Sequence, residues 1–327
     1  MKIFKMMFFL TLILSTMISI SSYSWMGMWI GLEINLLSII PLMNNKKNSL
    51  SKESALKYFI VQALMSTLIL LSIIIMLKKT FLPQSPALLM TNCALLTKMG
   101  AAPFHFWFPE IIEGMSWNLT LIIMTWQKLA PMLILMHNLS SLKLIIFFII
   151  SSLTIGGMMG LNQTSLRKIL TYSSINHIGW MLSSCLLKIK FFWIYFCIYS
   201  LISFILIMNF KYLNLNSLTQ LMVSTKISEM KMSLLMNMMS MAGIPPFLGF
   251  FPKWIILNNL INNFMILSIM MVILTIISMY FYIRMILSTL MLTLENLFLT
   301  KNFYNMKFMI MNFLNLLGLI IAPYFLI

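Results

Sequence analysis

The sequence predicts an all-α fold, a polytopic transmembrane helical bundle of about 11 helices. Two observations predict it. Of 327 residues, 61% are hydrophobic and 9% are charged, against about 25% charged in a soluble domain. The apolar residues also gather into runs of about 20, the length that crosses a bilayer. The six acidic residues are all Glu, and no polar stretch is long enough to form a soluble domain.

The length rule places helices near 4–22, 25–43, 56–77, 86–104, 119–137, 143–161, 167–187, 191–212, 232–257, 264–288 and 308–326. The first follows Lys2 and Lys5 and has the look of a signal peptide. With so many spans after it, it reads as an uncleaved first helix. The second carries Glu33. The third is flanked by Lys57, an interfacial anchor, as is Lys211 at the end of the eighth. The fourth carries Lys98, then Gly100 and Pro103; the fifth carries Lys128; the seventh carries His177. The ninth contains Gly243, Pro245, Pro246 and Lys253, and the tenth and eleventh are apolar. Between the fourth and fifth lies a short acidic segment, His105 to Trp117, with Glu110 and Glu113. It is amphipathic enough to lie along an interface.

The net charge is +16, but the basic residues are spread between apolar runs. They read as loop charges that set topology rather than as a nucleic-acid surface. Lys2, Lys5, Lys46, Lys47, Lys52, Arg167, Lys168, Lys226, Lys231, Lys301 and Lys307 fall on the N-terminal side, against mainly Lys78, Lys79, Lys188 and Lys190 on the other. The positive-inside rule then puts the N-terminus inside and, with an odd helix count, the C-terminus outside. The residue choice, with 35 Met, 25 Phe and only three Val, follows A- and T-rich codons and suggests an organelle genome.

Several function classes are excluded. Cys93, Cys185 and Cys197 lack C-x-x-C spacing and read as small buried hydrophobes. The three histidines, His105, His137 and His177, are scattered, which argues against haem ligation. There is no Walker motif, no strand-linked G-x-G-x-x-G and no H-E-x-x-H. The tryptophans and Met-rich faces read as membrane packing.

What remains is a set of charges inside apolar runs. A charge at mid-bilayer costs roughly 2.5–3.5 kcal/mol on insertion scales, so Glu33, Lys98, Lys128 and Lys253 mark function. Burial disfavours the charged form of either residue type and pairing favours it. A Glu–Lys pair that forms and breaks can therefore load and release a proton. Lys98, beside a helix break, is the expected partner of Glu33. Lys128 is placed mid-helix, beyond the reach of snorkelling, and Lys253 nearer an end, where it could instead anchor. His177 is either a hydrogen-bonded core residue or a further relay.

A faint repeat accompanies these charges. Lys98-Met99-Gly100-Ala101-Ala102-Pro103-Phe104 and Gly243-Ile244-Pro245-Pro246-Phe247 through Lys253 each join a lysine to Gly and Pro in mid-span. They stand five helices apart, an odd number, so the two units would be inverted: roughly 4–137 and 143–288, with 308–326 added. Matching interrupted spans in two halves point to a transporter-type site at mid-membrane.

The run Leu96 through Glu110 resembles the broken-helix signature of the proton-pumping, antiporter-like subunits of respiratory complex I. Trp126-Gln127-Lys128-Leu129-Ala130-Pro131, Arg167 through Trp180 and Gly243 through Lys253 match the same family in the same order. The motifs cover roughly residues 25–260; length and composition narrow the match to an animal mitochondrial member. The resemblance implies a membrane subunit of a proton-translocating NADH:ubiquinone reductase in the mitochondrial inner membrane, with the N-terminus in the matrix and the C-terminus in the intermembrane space. It implies that Glu33 is the acid of the Glu–Lys pair, Lys98 its partner, Lys128 the central relay and Lys253 the terminal lysine; His177 also matches the family motif. The family fold has its Glu in the fifth helix; here it is in the second, so three N-terminal helices are absent, which leaves a groove for neighbours. NAD, FMN, iron–sulfur clusters and ubiquinone are expected in other subunits and none in this chain. The antiporter-like subunit 4, subunit 4L and phospholipid are the expected partners, and no nucleic acid. The rivals are a free-standing cation/proton antiporter and a spacer whose lysines only bind lipid or neighbours.

Overall fold

A computed structural model describes residues 2–44, 48–78, 84–139, 141–224 and 228–291. Fourteen helices lie among them: α1 (Lys2–Ser21), α2 (Trp25–Met43), α3 (Ser49–Leu77), α4 (Gln84–Met99), α5 (Trp107–Glu113), α6 (Trp117–Met124), α7 (Trp126–His137), α8 (Leu142–Leu161), α9 (Leu166–Cys185), α10 (Ile189–Tyr212), α11 (Leu218–Ser224), α12 (Ser228–Ala242), α13 (Phe250–Ile261) and α14 (Met265–Met291). The described residues contain no strand, only an isolated bridge between Ser165 and Ser217. The expected eleventh span, 308–326, lies outside the described residues. So do Lys46, Lys47, Lys79, Lys226, Lys301 and Lys307. The count exceeds the expected one because two spans are split, at Thr125 and at 243–249, and because α5 and α11 are short connecting helices.

The chain divides into two compact units, Met1–Phe148 and Ile149–Ile327. In the first, α1 and α2 form a close hairpin. Gly31 faces Ser19 so tightly that a Cβ there would come within 2.6 Å of the Ser19 side chain and 2.7 Å of its backbone. Small residues let membrane helices approach in this way. Helix α3 begins seven residues earlier than the hydropathy reading placed it, after Asn48. Its first two turns are too polar to read as a span, yet Ser51, Ser54, Ala55 and Tyr58 are buried there. On the other face Lys57 bonds Glu53 at 3.0 Å and Glu110 of α5 at 2.9 Å. Lys57 is thus an ion-pair partner within the fold rather than only an anchor. Helix α5 lies against α3, burying Phe108, Ile111 and Ile112.

In the second unit α9 is the interior helix. From Ile169 to Cys185 every residue is buried, although the helix is the least apolar of those expected to span. A helix that is polar and still buried marks a working interior rather than a lipid-facing wall. Gly156 of α8 faces the backbone of Asn176, and Gly179 of α9 faces Ser152, which seats the two helices side by side. Helices α10 and α13 pack on α9, and α12 and α14 complete the bundle around α10 and α13. Of the cysteines, Cys185 is buried, Cys93 half-buried and Cys197 exposed on α10, so the last departs from the buried role expected for it.

Candidate functional site

Both helix interruptions are built alike. Helix α4 ends at Met99, and Gly100 adopts φ 77°, the left-handed region that glycine enters without a Cβ clash. Gly100 N–H donates to the Thr97 carbonyl at 3.0 Å and Ala101 N–H to that of Leu96 at 3.0 Å, the paired bonds of a Schellman cap. Helix α12 ends at Ala242, and Gly243 also has φ 77°. Gly243 N–H donates to Ser240 at 3.1 Å and Ile244 N–H to Met239 at 3.3 Å. Each glycine is followed three residues later by a proline with a cis peptide bond, Ala102–Pro103 and Pro245–Pro246.

This register sharpens the repeat. Gly100-x-x-Pro103-Phe104-x-x-Trp107-Phe108-Pro109-Glu110 aligns without gaps on Gly243-x-x-Pro246-Phe247-x-x-Phe250-Phe251-Pro252-Lys253, and α5 and α13 start at the same step of it. Lys253 is therefore the counterpart of Glu110, not of Lys98, whose own counterpart is Met241. The lysines enter the two breaks from opposite sides.

In the first unit Lys98 lies in the last turn of α4, 7% exposed. A cation there suits the partial negative charge of the helix C-terminus. Its carbonyl, freed by the break, accepts from Gln62 Nε2 at 3.3 Å, and that of Thr97 accepts from the Trp107 indole at 3.1 Å. Glu33 is half-buried on α2, with no hydrogen-bond partner for Oε2 among the described residues. It acts on the Lys98 charge electrostatically, but no ion pair joins them; among the described side chains the ion pairs within 4.0 Å are those of Lys57. The expected pair is thus not closed within 4.0 Å, and each residue sits on a helix that packs on α3.

Lys128 is 1% exposed and lies in the first turn of α7, not mid-helix. The helix is interrupted at Thr125, at φ −111° and ψ −71°. Its hydroxyl donates back to the Leu121 carbonyl at 2.7 Å, and such back-bonding bends helices. The ammonium sits 5.6 Å from the centre of the Phe108 ring. Beside it, Gln127 and Asn35 exchange two amide hydrogen bonds, at 2.9 and 3.0 Å, with the Tyr58 hydroxyl 3.5 Å from the Gln127 oxygen. A second amide cluster, Asn92, Asn138 and Thr91, ties α4 to the end of α7. His105, expected near an interface, is buried, its Nδ1 3.1 Å from the Pro103 carbonyl. The turn after the break folds it inward.

In the second unit Lys253 is 5% exposed and does not snorkel. Its ammonium donates to the Ala242 carbonyl at 2.8 Å, one of the groups the break strips of a helical partner. It also lies 5.8 Å from the centre of a Trp180 ring. His177, one turn before Trp180, has Nδ1 2.7 Å from the Tyr195 hydroxyl and its ring 4.9 Å from that of Tyr199. Asn35, Gln62, Gln127, Trp107, Trp180 and Tyr195 were not singled out by the sequence reading. Neutral amides and aromatics look like packing there; only proximity to an intramembrane charge could have marked them.

The geometry can hold three dehydrated ammonium groups, each next to a helix interruption. Residues 22–278 match the family described as NADH:quinone oxidoreductase/Mrp antiporter, TM. The chain belongs to that family. Within the NADH:quinone oxidoreductase/Mrp antiporter family, it is 44% identical over 98% of its length to the NADH-ubiquinone oxidoreductase chain 2 of Anopheles gambiae, covering 97% of that protein. It is 40% identical over 86% of its length to the chain 2 of Mus musculus, covering 84% of it. Among solved structures, a chain of respiratory complex I from Thermus thermophilus superposes with TM-score 0.85 at 21% identity, over 98% of this chain and 79% of that one. A chain of the Mrp complex from Dietzia superposes with TM-score 0.75 at 17% identity, over 90% and 61%. These likenesses extend the family's fold to this chain. The insect and mammalian relatives agree with the animal mitochondrial member that the motifs, length and composition imply.

Proposed function

We propose that this chain carries protons within the membrane part of NADH:ubiquinone oxidoreductase through Glu33, Lys98 and Lys128 in its first unit and Lys253, with His177, in its second. The chain is a multi-pass membrane subunit of that proton-pumping complex, and of a mitochondrial membrane. The observation that carries the relay reading is the burial of three lysines, at 7%, 1% and 5% exposure, each within a turn or so of a helix interruption. A buried ammonium responds strongly to any nearby charge. Interrupted backbone is tolerated at membrane depth only where protein or water satisfies it, so the same breaks can admit the water that delivers protons.

The finer assignments belong to this reading. The membrane is the inner one, with the N-terminus in the matrix and the C-terminus in the intermembrane space. Residues roughly 4–137 and 143–288, with 308–326 added, are read as inverted repeats of one sequence pattern, a reading supported by the shared eleven-residue register. Electron transfer through NAD, FMN, iron–sulfur clusters and ubiquinone takes place in other subunits. Subunit 4, subunit 4L and phospholipid are the neighbours. The rival, a free-standing antiporter, is tested on native gels and in vesicles. The chain should migrate only in a large assembly with NADH dehydrogenase activity. A purified chain that alone exchanges sodium or potassium ions for protons would overturn the proposal.

A further inference from the structure

Lys253 is held unlike any lysine in an ordinary ion pair. Among the described side chains of its unit there is no Asp or Glu. Its ammonium has three donors to satisfy; the described partners are the Ala242 carbonyl at 2.8 Å and the face of Trp180 at 5.8 Å. Gly243 completes the seat by absence: a Cβ there would lie 2.7 Å from Nζ and 3.0 Å from Cδ and Cε. Trp180 is itself fixed. It is 1% exposed, and its ring lies nearly parallel to that of Tyr195, at 8° and 6.5 Å between centroids, within the range of offset stacking.

We infer that Trp180 is a positioning residue that holds the Lys253 ammonium on the Ala242 carbonyl through the face of its indole ring. The inference rests on the relay role of Lys253. Indole is the strongest of the side-chain cation–π partners, and the interaction gains strength where water is excluded. The ring attracts the charged lysine and gains little from the neutral one, so it acts on the proton equilibrium as well as on position. Tyr195 braces the ring and its hydroxyl bonds His177 Nδ1 at 2.7 Å. The packing of Trp180 and the hydrogen bonding of His177 therefore share one side chain.

The buried titratable groups on the helices packed around α13 are Tyr172, His177 and Cys185 on α9, Tyr195 and Tyr199 on α10 and Tyr282 on α14; Arg167, Lys168, Lys190, Cys197, Lys211, Tyr212, Tyr280 and Arg284 on the same helices are half-buried or exposed. Histidine titrates about four units below lysine in its ordinary range, and tyrosine is neutral at physiological pH. Tyrosine and cysteine titrate on the alkaline side as lysine does, so the alkaline limb is assigned to Lys253 by its movement in the Trp180 variants and its loss in Lys253→Met, not by its pH alone.

The test is proton translocation by the assembled complex as a function of pH. Removing the ring favours loss of the proton, so the alkaline limb should move to lower pH. Trp180→Leu should move it by about one unit, tenfold in the proton equilibrium. Trp180→Phe, which keeps a ring of weaker quadrupole, should move it by less than half as much. A limb that stays in place in Trp180→Leu, or moves equally in the Leu and Phe variants, overturns the inference. Should Trp180→Leu fail to assemble, Trp180→Met carries the same test. Lys253→Met separates the two claims. Normal pumping in that variant removes the relay role itself; lost pumping with an unmoved limb in the Trp180 variants removes only the positioning role.

Discussion

Lys128→Met is the most direct test of the relay. Lys128 is 1% exposed and faces the Phe108 ring at 5.6 Å. Bringing an ammonium out of water to such a place costs several kcal/mol even after relaxation. Methionine has a similar length and no charge, and replacing buried charge by apolar volume is often neutral or stabilising by about 1–4 kcal/mol. The variant should therefore fold and assemble. Its function should fail for the same reason that its stability holds. Helices α4, which carries Lys98, and α7, which carries Lys128, pack directly, and packed helices run up to about 10 Å apart axis to axis. At an effective dielectric of 20, one unit charge at that distance is worth about 1.7 kcal/mol, more than one pKa unit. A proton gained or lost at Lys98 is thus enough to load or empty Lys128. Assembly is read on native gels and coupling as protons moved per NADH oxidised. Assembly should be full and the ratio reduced. Lys128→Arg should also assemble and also fail, because guanidinium does not release its proton near neutral pH. A Met variant that assembles and pumps at the normal ratio would falsify the relay role of Lys128.

Three further outcomes follow from the geometry. Asn35→Leu or Gln127→Leu alone should destabilise the first unit by about 1–3 kcal/mol, since each strands a buried amide; the double variant should recover part of that in thermal unfolding of the purified complex. Gly243→Ala should dislodge Lys253, because the new Cβ would sit 2.7 Å from Nζ at a φ of 77°, and left-handed backbone adds about 1–2 kcal/mol for a non-glycine residue; pumping should drop while Gly157→Ala, whose nearest neighbour is at 3.5 Å, changes little. A cysteine at Asn48 should label from the matrix side of the inner membrane, and labelling from the intermembrane side would reverse the proposed orientation.

Much of this was legible in the sequence for a physical reason. Ionisable side chains in apolar runs carry a large insertion penalty, so Glu33, Lys98, Lys128 and Lys253 stand out from composition alone. Gly100 with Pro103, and Gly243 with Pro245 and Pro246, announce breaks because one needs φ above zero and the other lacks an N–H. Thr125 gives no such signal. Threonine is common in membrane helices, and only its bond to Leu121 reveals the bend that moves Lys128 from mid-helix to a helix start. The Asn35–Gln127 pair joins residues 92 positions apart, beyond any local pattern. The Glu33–Lys98 pairing is inferred from charge complementarity, and a sequence alone says nothing about which faces of two helices meet.

The two breaks solve the same backbone problem with different side chains, and that difference has a measurable consequence. In the first, Gln62 and Trp107 take the freed carbonyls of Lys98 and Thr97. The charge of Lys98 is not needed for them, and Glu110 turns outward to Lys57. In the second, Lys253 serves both as the buried charge and as the donor to Ala242. Lys98→Met should remove a desolvated cation and its attraction to Glu33 while leaving the carbonyls of Leu96, Thr97 and Lys98 paired. Lys253→Met removes a desolvated cation too, but strands the Ala242 carbonyl and the ring contact with Trp180. An unpaired buried acceptor costs about 1–3 kcal/mol. Lys253→Met should therefore unfold or disassemble at a lower temperature than Lys98→Met, although both stop proton transfer. Equal melting of the two variants would mean that water or another donor replaces Lys253 at Ala242, and that the lysine is seated by something other than the broken helix.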